Sequence, residues 1–600
     1  MSCAQFKKKR RTMHLDKITI KNFRNFEDFT INFTKEFQTI IGENNIGKSN
    51  LFWAIRLVFD KNLSYNSRRL QEKDIHGFKK IDFNTNILIS IELKGENLSS
   101  FPNLHTIKSS DKTVRVTYVY AHRTKFASTT KTYEKAEVKD FQWKLFGSGN
   151  STDFNTIIKQ NNEISIKELE GINLFFISDF RNINTELFGN SKSMLSLYCQ
   201  SREDTESELD KVKSILTKSS KKINDLEFIP KIAETIKSKN KEIAGKHFSF
   251  PISIGVLTDY DTEIWDQLKL FYNPREGQTL PMYLLGLGQK NLLYLSLFLS
   301  RLVNEQDDNE INILLIEEPE AHLHPQLQKL LFSNLSNTSN TQVFMSSHST
   351  HIASDCNFKN LNIIFNTPEK KVKSFSPFVE KSEDKKVNRD QLLLKRYLDA
   401  TRSELFFASS VILVEGVAEQ FIIPAIAKQK FGIDLTEYNI SVIPIHSRYF
   451  DPFLELFQKD KLEIIVCAII DGDKKEIKET EEYTTAVENA KSYEIDNRIE
   501  VFSGNETLEI DLFPDYEKNT ATLKTCFENL NHTQSYENLV ETVTTKPDNW
   551  AEELISRIDG TIKKGRFAQE LSLQIDKDFE IPSYLQDAIE FIFKHNNITV

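Results

Sequence analysis

One stretch constrains the chain more than any other. Thr39-Ile40-Ile41-Gly42-Glu43-Asn44-Asn45-Ile46-Gly47-Lys48-Ser49-Asn50 places a short apolar run, a glycine, four intervening residues and Gly-Lys-Ser in series. The helical pattern of Asn50 to Leu57 follows. Strand, glycine loop and helix in that order form a phosphate-binding loop. Gly42 and Gly47 let backbone N–H groups turn towards phosphate oxygens, and the helix N-terminus adds partial positive charge. Asn44, Asn45, Ile46 and Asn50 line the same loop and helix start. Lys48 is placed to reach the outer phosphates, and the Ser49 hydroxyl to hold Mg²⁺. A chance glycine turn is the alternative, but the strand and helix on either side argue against it.

The length of 600 residues predicts three or four structural units. Apolar content of 39% and charged content of 27% fit a soluble globular chain. No apolar run approaches the roughly 18 residues of a membrane helix, so no membrane partner is expected. The five cysteines are scattered without a CxxC pair, which argues against a disulfide framework or zinc site and for a reducing cytoplasm. A net charge of −9 excludes a generally basic DNA-binding surface but leaves room for local basic grooves.

The order of patterns predicts an α/β chain. Residues 1–12 read as a disordered basic tail, with Met13 as an alternative start and a nucleic-acid arm as the rival. Residues 13–190 read as a mixed α/β lobe, with an amphipathic strand at Ile87–Leu93 and a β-branched one at Val114–Tyr120. Arg68, Arg69, Lys79 and Lys80 fall in a polar stretch between. Residues 191–275 read as a helical insertion, either solvated or a dimer contact. Residues 276–369 resume the α/β pattern, 370–390 read as a linker, and 391–600 form a second α/β unit with C-terminal helices.

Ile311 to Glu317 is an apolar strand ending in Glu317-Glu318-Pro319-Glu320. Glu317 fits a Mg²⁺ position beside the loop, and Glu318 a general base for the attacking water. The next strand ends at Ser347-His348-Ser349, where His348 can touch a γ-phosphate. Between them, Leu285-Gly286-Leu287-Gly288-Gln289-Lys290 opens a helix. Gly286 and Gly288 at that N-terminus make a second phosphate site.

Asn22-Phe23-Arg24-Asn25-Phe26, GENNIGKSN, GLGQK, LLIEEPEAHLHP and SSHS together resemble the SMC/RecF-like branch of ABC ATPases. The resemblance implies that ATP is sandwiched between two subunits and that Arg24 lies near the nucleotide. The signature departs from Ser-Gly-Gly: Gly286 and Gly288 sit apart and the serine is missing, which implies modest hydrolysis. The glutamine-loop position is not evident, with Asp74 as the candidate.

A second constellation lies downstream. Val411 to Val414 is a buried-type strand ending in Glu415-Gly416, and Glu419 falls one helical turn later. Ile464 to Ile470 is another, ending in Asp471-Gly472-Asp473. Parallel strands present their C-terminal ends on one edge, so Glu415, Glu419, Asp471 and Asp473 converge. Four carboxylates at one edge repel unless an oxygen-loving divalent ion such as Mg²⁺ or Mn²⁺ holds them.

This pair of acid motifs resembles a Toprim domain. Toprim after an SMC/RecF-like ATPase resembles the OLD (overcoming lysogenization defect) family of ATP-dependent endonucleases, including Gabija-type nucleases. The resemblance implies a third acid, Glu509 with Glu506 as rival, and a lysine, Lys564 with Lys563 as the shifted alternative. Where such domains often carry a glycine after the second strand, this chain reads Ile445-His446-Ser447-Arg448-Tyr449. The implied activity is DNA hydrolysis by two metal ions, held by Glu415, Asp471, Asp473, Glu419 and Glu509, with Lys564 offsetting transition-state charge. The implied partners are DNA, further copies of the chain, and a co-encoded helicase or other defence protein. The rival from another class is a non-catalytic DNA clamp that uses ATP for closure. A topoisomerase would need a cleavage domain around a tyrosine, and a primase a zinc module; neither is evident.

Overall fold

The computed structural model describes residues 13–35, 37–95, 108–110, 112–127, 136–147, 149, 151–178, 271–272, 280–281, 285–304, 310–336, 341–377, 385–398, 402–472 and 481–599. The chain divides into two compact units. One comprises Met1–Ile177, Asn309–Glu320 and His324–Val600; the other comprises Ser178–Asp308 and Ala321–Leu323. The basic tail at 1–12 and nearly all of the helical insertion at 191–275 lie outside the described residues.

Among the described residues the larger unit holds three sheets. The first is antiparallel, built from β1 (Met13–Phe23), β2 (Phe26–Asn32), β4 (Asn86–Gly95), β5 (Lys108–Ser110), β6 (Thr113–His122), β7 (Phe141–Gly147) and β8 (Glu163–Ile164). Its order is β2-β1-β4-β6-β7-β8, with β5 also on β6. The second combines β3 (Gln38–Ile41) with β9 (Ile172–Ile177), and later strands join it. The helix α1 (Lys48–Phe59) lies against β4, β6 and β9. It buries Leu51, Phe52, Ala54, Ile55, Leu57, Val58 and Phe59, as a helix covered on two sides must.

Strand β4 departs from the amphipathic expectation. Ile87, Ile89, Ile91 and Leu93 pack in the main core with α1. Leu88, on the opposite face, packs with Val119, Ala121, Phe146 and Ile157 under the helix α2 (Phe154–Gln160). Both faces are covered, so alternation is lost.

The second sheet runs β15-β14-β3-β13-β12-β9, where β12 is Ile311–Glu317, β13 Thr341–Ser347, β14 Leu361–Asn366 and β15 Val372–Phe375. Neighbours are parallel apart from β15, which pairs antiparallel with β14. The phosphate-loop strand β3 is therefore flanked by β13 and β14, and the residues that follow β3, β12 and β13 share one edge. The stretch read as a linker, 370–390, in fact supplies β15 and the start of a helix, Lys385–Tyr397.

The third sheet, order β17-β16-β18-β19, is all parallel: β16 is Ser410–Val414, β17 Ile440–Pro444, β18 Ile465–Ile470 and β19 Ile499–Ser503. The C-terminal helices do not stand apart from it. Leu571, Leu585, Ile589 and Ile592 share one core with Ile412, Val414, Ile422 and Cys467. In the smaller unit the described elements are β10 (Phe271–Tyr272) paired with β11 (Leu280–Pro281), and the helix α3 (Leu287–Asn304).

The polar stretch after α1 is mostly exposed, Arg69, Lys79 and Lys80 included, but Arg68 is not. Arg68 is 0% exposed. Its guanidinium donates to the carbonyls of Leu57 (3.0 Å), Asp60 (2.5 Å) and Leu63, and lies 5.6 Å from the Trp143 ring. The Tyr118 and Tyr120 hydroxyls donate to the carbonyls of Arg68 (2.6 Å) and Leu70 (3.0 Å). A five-donor fork satisfies carbonyls past the helix end that no single lysine reaches. Arg68→Ala should destabilise this unit by about 3 kcal/mol. Thermal unfolding should show a midpoint several degrees lower, with Arg68→Lys recovering only part of the loss.

Candidate functional site

The phosphate loop is held at both ends by close backbone approach. Gly42 has φ +151°, and a Cβ there would sit 2.2 Å from the Ile364 carbonyl of β14. Gly47 has φ +113°, and its Cβ would sit 2.1 Å from Asn25 Nδ2. Only glycine fits either place. Asn25 donates to the Ile46 carbonyl and accepts from Asn50 Nδ2 at 2.7 Å. Arg24 donates to Asn50 Oδ1 at 2.8 Å and to Asp74 Oδ1 at 2.9 Å. Arg24 and Asn25 therefore brace the loop, and the buried Asp74 serves as Arg24's counter-ion. Between the pins Asn44 and Asn45 are exposed, and so is Ser49 in the first turn of α1.

Lys48 is buried at the loop's centre. Its ammonium donates to the carbonyls of Gly42 and Glu43, both at 2.8 Å, and to His348 Nδ1 at 3.3 Å. His348 Nε2 lies 3.1 Å from Glu318 Oε1. Burial, with the Lys48 charge beside it, lowers the imidazole pKa to about 4. The ring is thus neutral, accepting from lysine at Nδ1 and donating to Glu318 at Nε2. Burial brings Lys48 itself down to about 8, against the opposing pull of Glu318, Glu320 and Glu43. Glu317 ends β12 as a buried carboxylate, and Glu318 follows in the left-handed region at φ 40°.

Glu320 was not singled out by sequence reasoning, although it is the last acid of the same run. Its Oε1 accepts from the Ser347 hydroxyl and from the His348 N–H at 3.1 Å, fixing the histidine backbone. Its Oε2 is buried without a hydrogen-bond partner, and burial raises its pKa.

Gly286 and Gly288 belong to the smaller unit. A Cβ on Gly288 would sit 2.5 Å from the His322 carbonyl, so the first turn of α3 needs this glycine. Asn291 Nδ2 donates to the Ala321 carbonyl at 3.2 Å in the same unit.

The acids of the third sheet gather at its carboxyl edge. Glu415 leaves β16 and accepts the Asp471 N–H at 3.0 Å; Asp471 leaves the neighbouring β18. Glu419 lies in the first turn of α4 (Val417–Phe431) and accepts the Gly416 N–H at 3.1 Å. Burial raises the Glu419 pKa, and Glu509 adds to the rise. Glu509 sits in α5 (Leu508–Leu512), 3% exposed, 3.2 Å from Lys564 Nζ. Lys564 opens α6 (Lys564–Gln574). Burial works against its charge, but Glu509 outweighs it and the net pKa is raised. Glu506 instead uses its backbone, donating to Asp511 and accepting from Gly472, and the Lys563 ammonium donates to the Asp559 carbonyl.

Gly472 is required for the same reason as the loop glycines. A Cβ there would sit 2.1 Å from the Gly504 carbonyl. Asp473 lies outside the described residues.

Two further residues reach this edge. Arg448 Nε lies 3.4 Å from Glu415 Oε2, on the turn where His446 adopts φ 52°. This is the segment where the sequence departed from the expected glycine, and the left-handed histidine occupies the conformation that glycine favours. Tyr584, in α7 (Ser583–His595), has a buried hydroxyl without a hydrogen-bond partner. Burial, then Asp511, Asp471, Glu419 and Glu509, keeps it protonated as a donor. Its signal in sequence was absent, because a tyrosine near a C-terminal helix start reads as packing.

Among the described residues no three of these groups form a ready-made ligand cage. The donor set is nevertheless all oxygen, and it carries one ammonium and one guanidinium against several acids. That chemistry fits a hard divalent cation.

Comparison with known proteins agrees with both halves. The family described as "AAA ATPase domain" matches residues 13–353, and that described as "Overcoming lysogenization defect protein-like, TOPRIM domain" matches residues 406–473. "Endonuclease GajA" of Bacillus cereus (strain VD045) is 26% identical over 426 residues, 68% of this chain and 67% of that protein. "Endonuclease GajA" of Bacillus cereus (strain HuB5-5) is 30% identical over 258 residues, 37% of each. "Old nuclease" of Escherichia phage P2 is 22% identical over 465 residues, 73% of each.

The lowered pKa of Lys48 makes a testable signature. A phosphate group would restore its full charge, so nucleotide binding should take up a proton where free Lys48 is deprotonated, above about pH 8. Affinity should be flat below pH 7 and fall roughly tenfold per unit above pH 8. Calorimetry at pH 9 in buffers of different ionisation heat should show proton uptake, and none at pH 6.5. The chain belongs to the AAA ATPase domain family and joins that domain to an OLD-like TOPRIM domain.

Proposed function

We propose that the chain is a nucleotide-regulated, divalent-metal-dependent endonuclease acting on DNA. The observation that carries this reading is the gathering of Glu415, Glu419, Asp471 and Glu509 at one sheet edge, with Lys564 held against Glu509 at 3.2 Å. The nuclease names of its relatives support the same reading.

Hydrolysis would add water across a P–O3′ bond, leaving a 5′ phosphate and a 3′ hydroxyl. Glu415, Asp471 and Asp473 would hold Mg²⁺ or Mn²⁺, with Glu419 and Glu509 completing a second position. Such ions supply Lewis acidity and an acidified water. The protein's own groups do the rest. The Asp471 N–H fixes the Glu415 carboxylate. Lys564 and Arg448 set positive charge beside the acids, where a scissile phosphate gains charge in the transition state. The Tyr584 hydroxyl offers a neutral donor at the same edge.

The ATPase half would bind ATP with Mg²⁺ through Lys48, Ser49 and Glu317, with Glu318 and His348 facing the γ-phosphate. The two-glycine turn at Gly286 and Gly288 would meet nucleotide held by a second copy, making the working form a homodimer or larger homo-oligomer. Such an enzyme would work in the cytoplasm, in phage defence or DNA repair, alone or with a co-encoded helicase or other defence protein.

Supercoiled plasmid incubated with Mg²⁺ or Mn²⁺ should be nicked by the wild-type chain. Glu415→Ala and Asp471→Ala should each lower the rate at least a hundredfold. Lys48→Ala should leave cleavage in the absence of nucleotide within a few-fold and abolish its response to ATP. Undiminished nicking by either acid variant would overturn the assignment.

A further inference from the structure

The phosphate loop and the Toprim sheet touch through a residue that neither chemistry uses. The Glu43 Oε1 oxygen accepts from the Ser409 hydroxyl at 2.8 Å and from Asn439 Nδ2 at 3.0 Å. Ser409 immediately precedes β16 and Asn439 immediately precedes β17. We propose that Glu43 is the link that carries nucleotide occupancy at the phosphate loop to the Toprim half.

The receiving side is rigid. Asn439 sits at φ 55°, a conformation asparagine tolerates better than most residues. Its Nδ2 also donates to the Phe407 carbonyl at 2.9 Å and to the Ser409 hydroxyl at 3.1 Å. The Ser409 N–H donates to the Asn439 carbonyl at 3.0 Å. Two strand starts are thus tied together before Glu43 reaches them.

The sending side is the stretch of loop between two pinned glycines. Gly42 is pinned by β14 and Gly47 by Asn25, which leaves Glu43, Asn44 and Asn45 as the part of the loop able to adjust. The Glu43 carbonyl accepts from Lys48 at 2.8 Å. A phosphate competes for that same ammonium, so binding takes a hydrogen bond from the Glu43 peptide. The carboxylate carbon is three bonds beyond the Cα of that residue. A shift of a few tenths of an ångström is enough to weaken two hydrogen bonds of 2.8 and 3.0 Å.

From Ser409 the path to the acids is one strand. β16 lies between β17 and β18, parallel to both, and Glu415 follows its last residue. Five residues span about 16 Å of extended backbone, stiff along its length. A second contact between the same halves, Lys373 to Glu463 at 2.7 Å, joins β15 to the approach to β18 and touches no part of the loop. It provides an internal control.

The functional meaning of this link rests on the nuclease reading, but its existence does not, so the test uses a readout other than cleavage. Full-length wild type, Ser409→Ala with Asn439→Gly, Glu43→Ala, and Lys373→Ala would be compared by hydrogen–deuterium exchange with and without Mg²⁺ and a non-hydrolysable ATP analogue. Glycine at 439 keeps the left-handed backbone without strain. In wild type and Lys373→Ala, the analogue should change exchange in peptides covering Phe406–Ser410 and Tyr438–Ile440 at least threefold. In the Ser409/Asn439 variant and in Glu43→Ala that change should vanish. Analogue affinity in the Ser409/Asn439 variant should stay within twofold of wild type. An unchanged response in that variant, or no response in wild type, would overturn the proposal. Plasmid nicking run in parallel separates the two ideas: absence of nicking in every protein would remove the nuclease reading while the exchange result still decides the link.

Discussion

A buried ammonium with nothing but its own loop, one imidazole and distant carboxylates to hold it is the constraint on which this architecture turns. Lys48 needs acceptors, and the loop supplies two carbonyls by turning them inward. That turn is possible only because Gly42 and Gly47 take backbone conformations closed to other residues. It persists because Arg24, Asn25 and Asn50 brace it from the side. The neighbouring strands β12 and β13 then place Glu318 and His348 where they complete the lysine's surroundings. Burial strips the ammonium of water, and a bound phosphate supplies the counter-charge that the loop's carbonyls do not.

The Toprim edge states the opposite problem, with acids in excess. One backbone N–H steadies Glu415, one ammonium faces Glu509, and Glu419 answers its burial with a raised pKa. These are partial remedies, and a divalent cation is the remaining one. Both sites stand at the carboxyl edges of parallel strands, where loops from neighbouring strands meet without crossing. Glu43 joins the first site to the amino edge of the third sheet, so β16 stands between the two chemistries.

Much of this was legible in the sequence for physical reasons. The loop glycines and the acids at the ends of β12, β16 and β18 depend on local pattern, which a strand-loop-helix context fixes, whereas Glu509 and Lys564 entered only through the family resemblance. What escaped notice depends on long-range packing. Arg68 reads as a surface charge but is wholly buried, because its carbonyl partners come from the turn after α1. The even face of β4 reads as exposed until α2 covers it. Glu43 reads as one more loop residue; its partners Ser409 and Asn439 lie more than 360 residues away. Tyr584 carries no motif and becomes conspicuous only through the acids around its hydroxyl.

The acids at the ends of β16 and β18 are placed to hold a divalent ion whether or not the nucleotide loop is filled. Calorimetric titration of Mn²⁺ into full-length, nucleotide-free protein tests it most directly, comparing wild type, Asp471→Asn and Lys48→Ala. Mn²⁺ binding should survive in Lys48→Ala and weaken at least tenfold in Asp471→Asn, with the fold and nucleotide affinity of that variant retained. Equal Mn²⁺ binding by wild type and Asp471→Asn would contradict it.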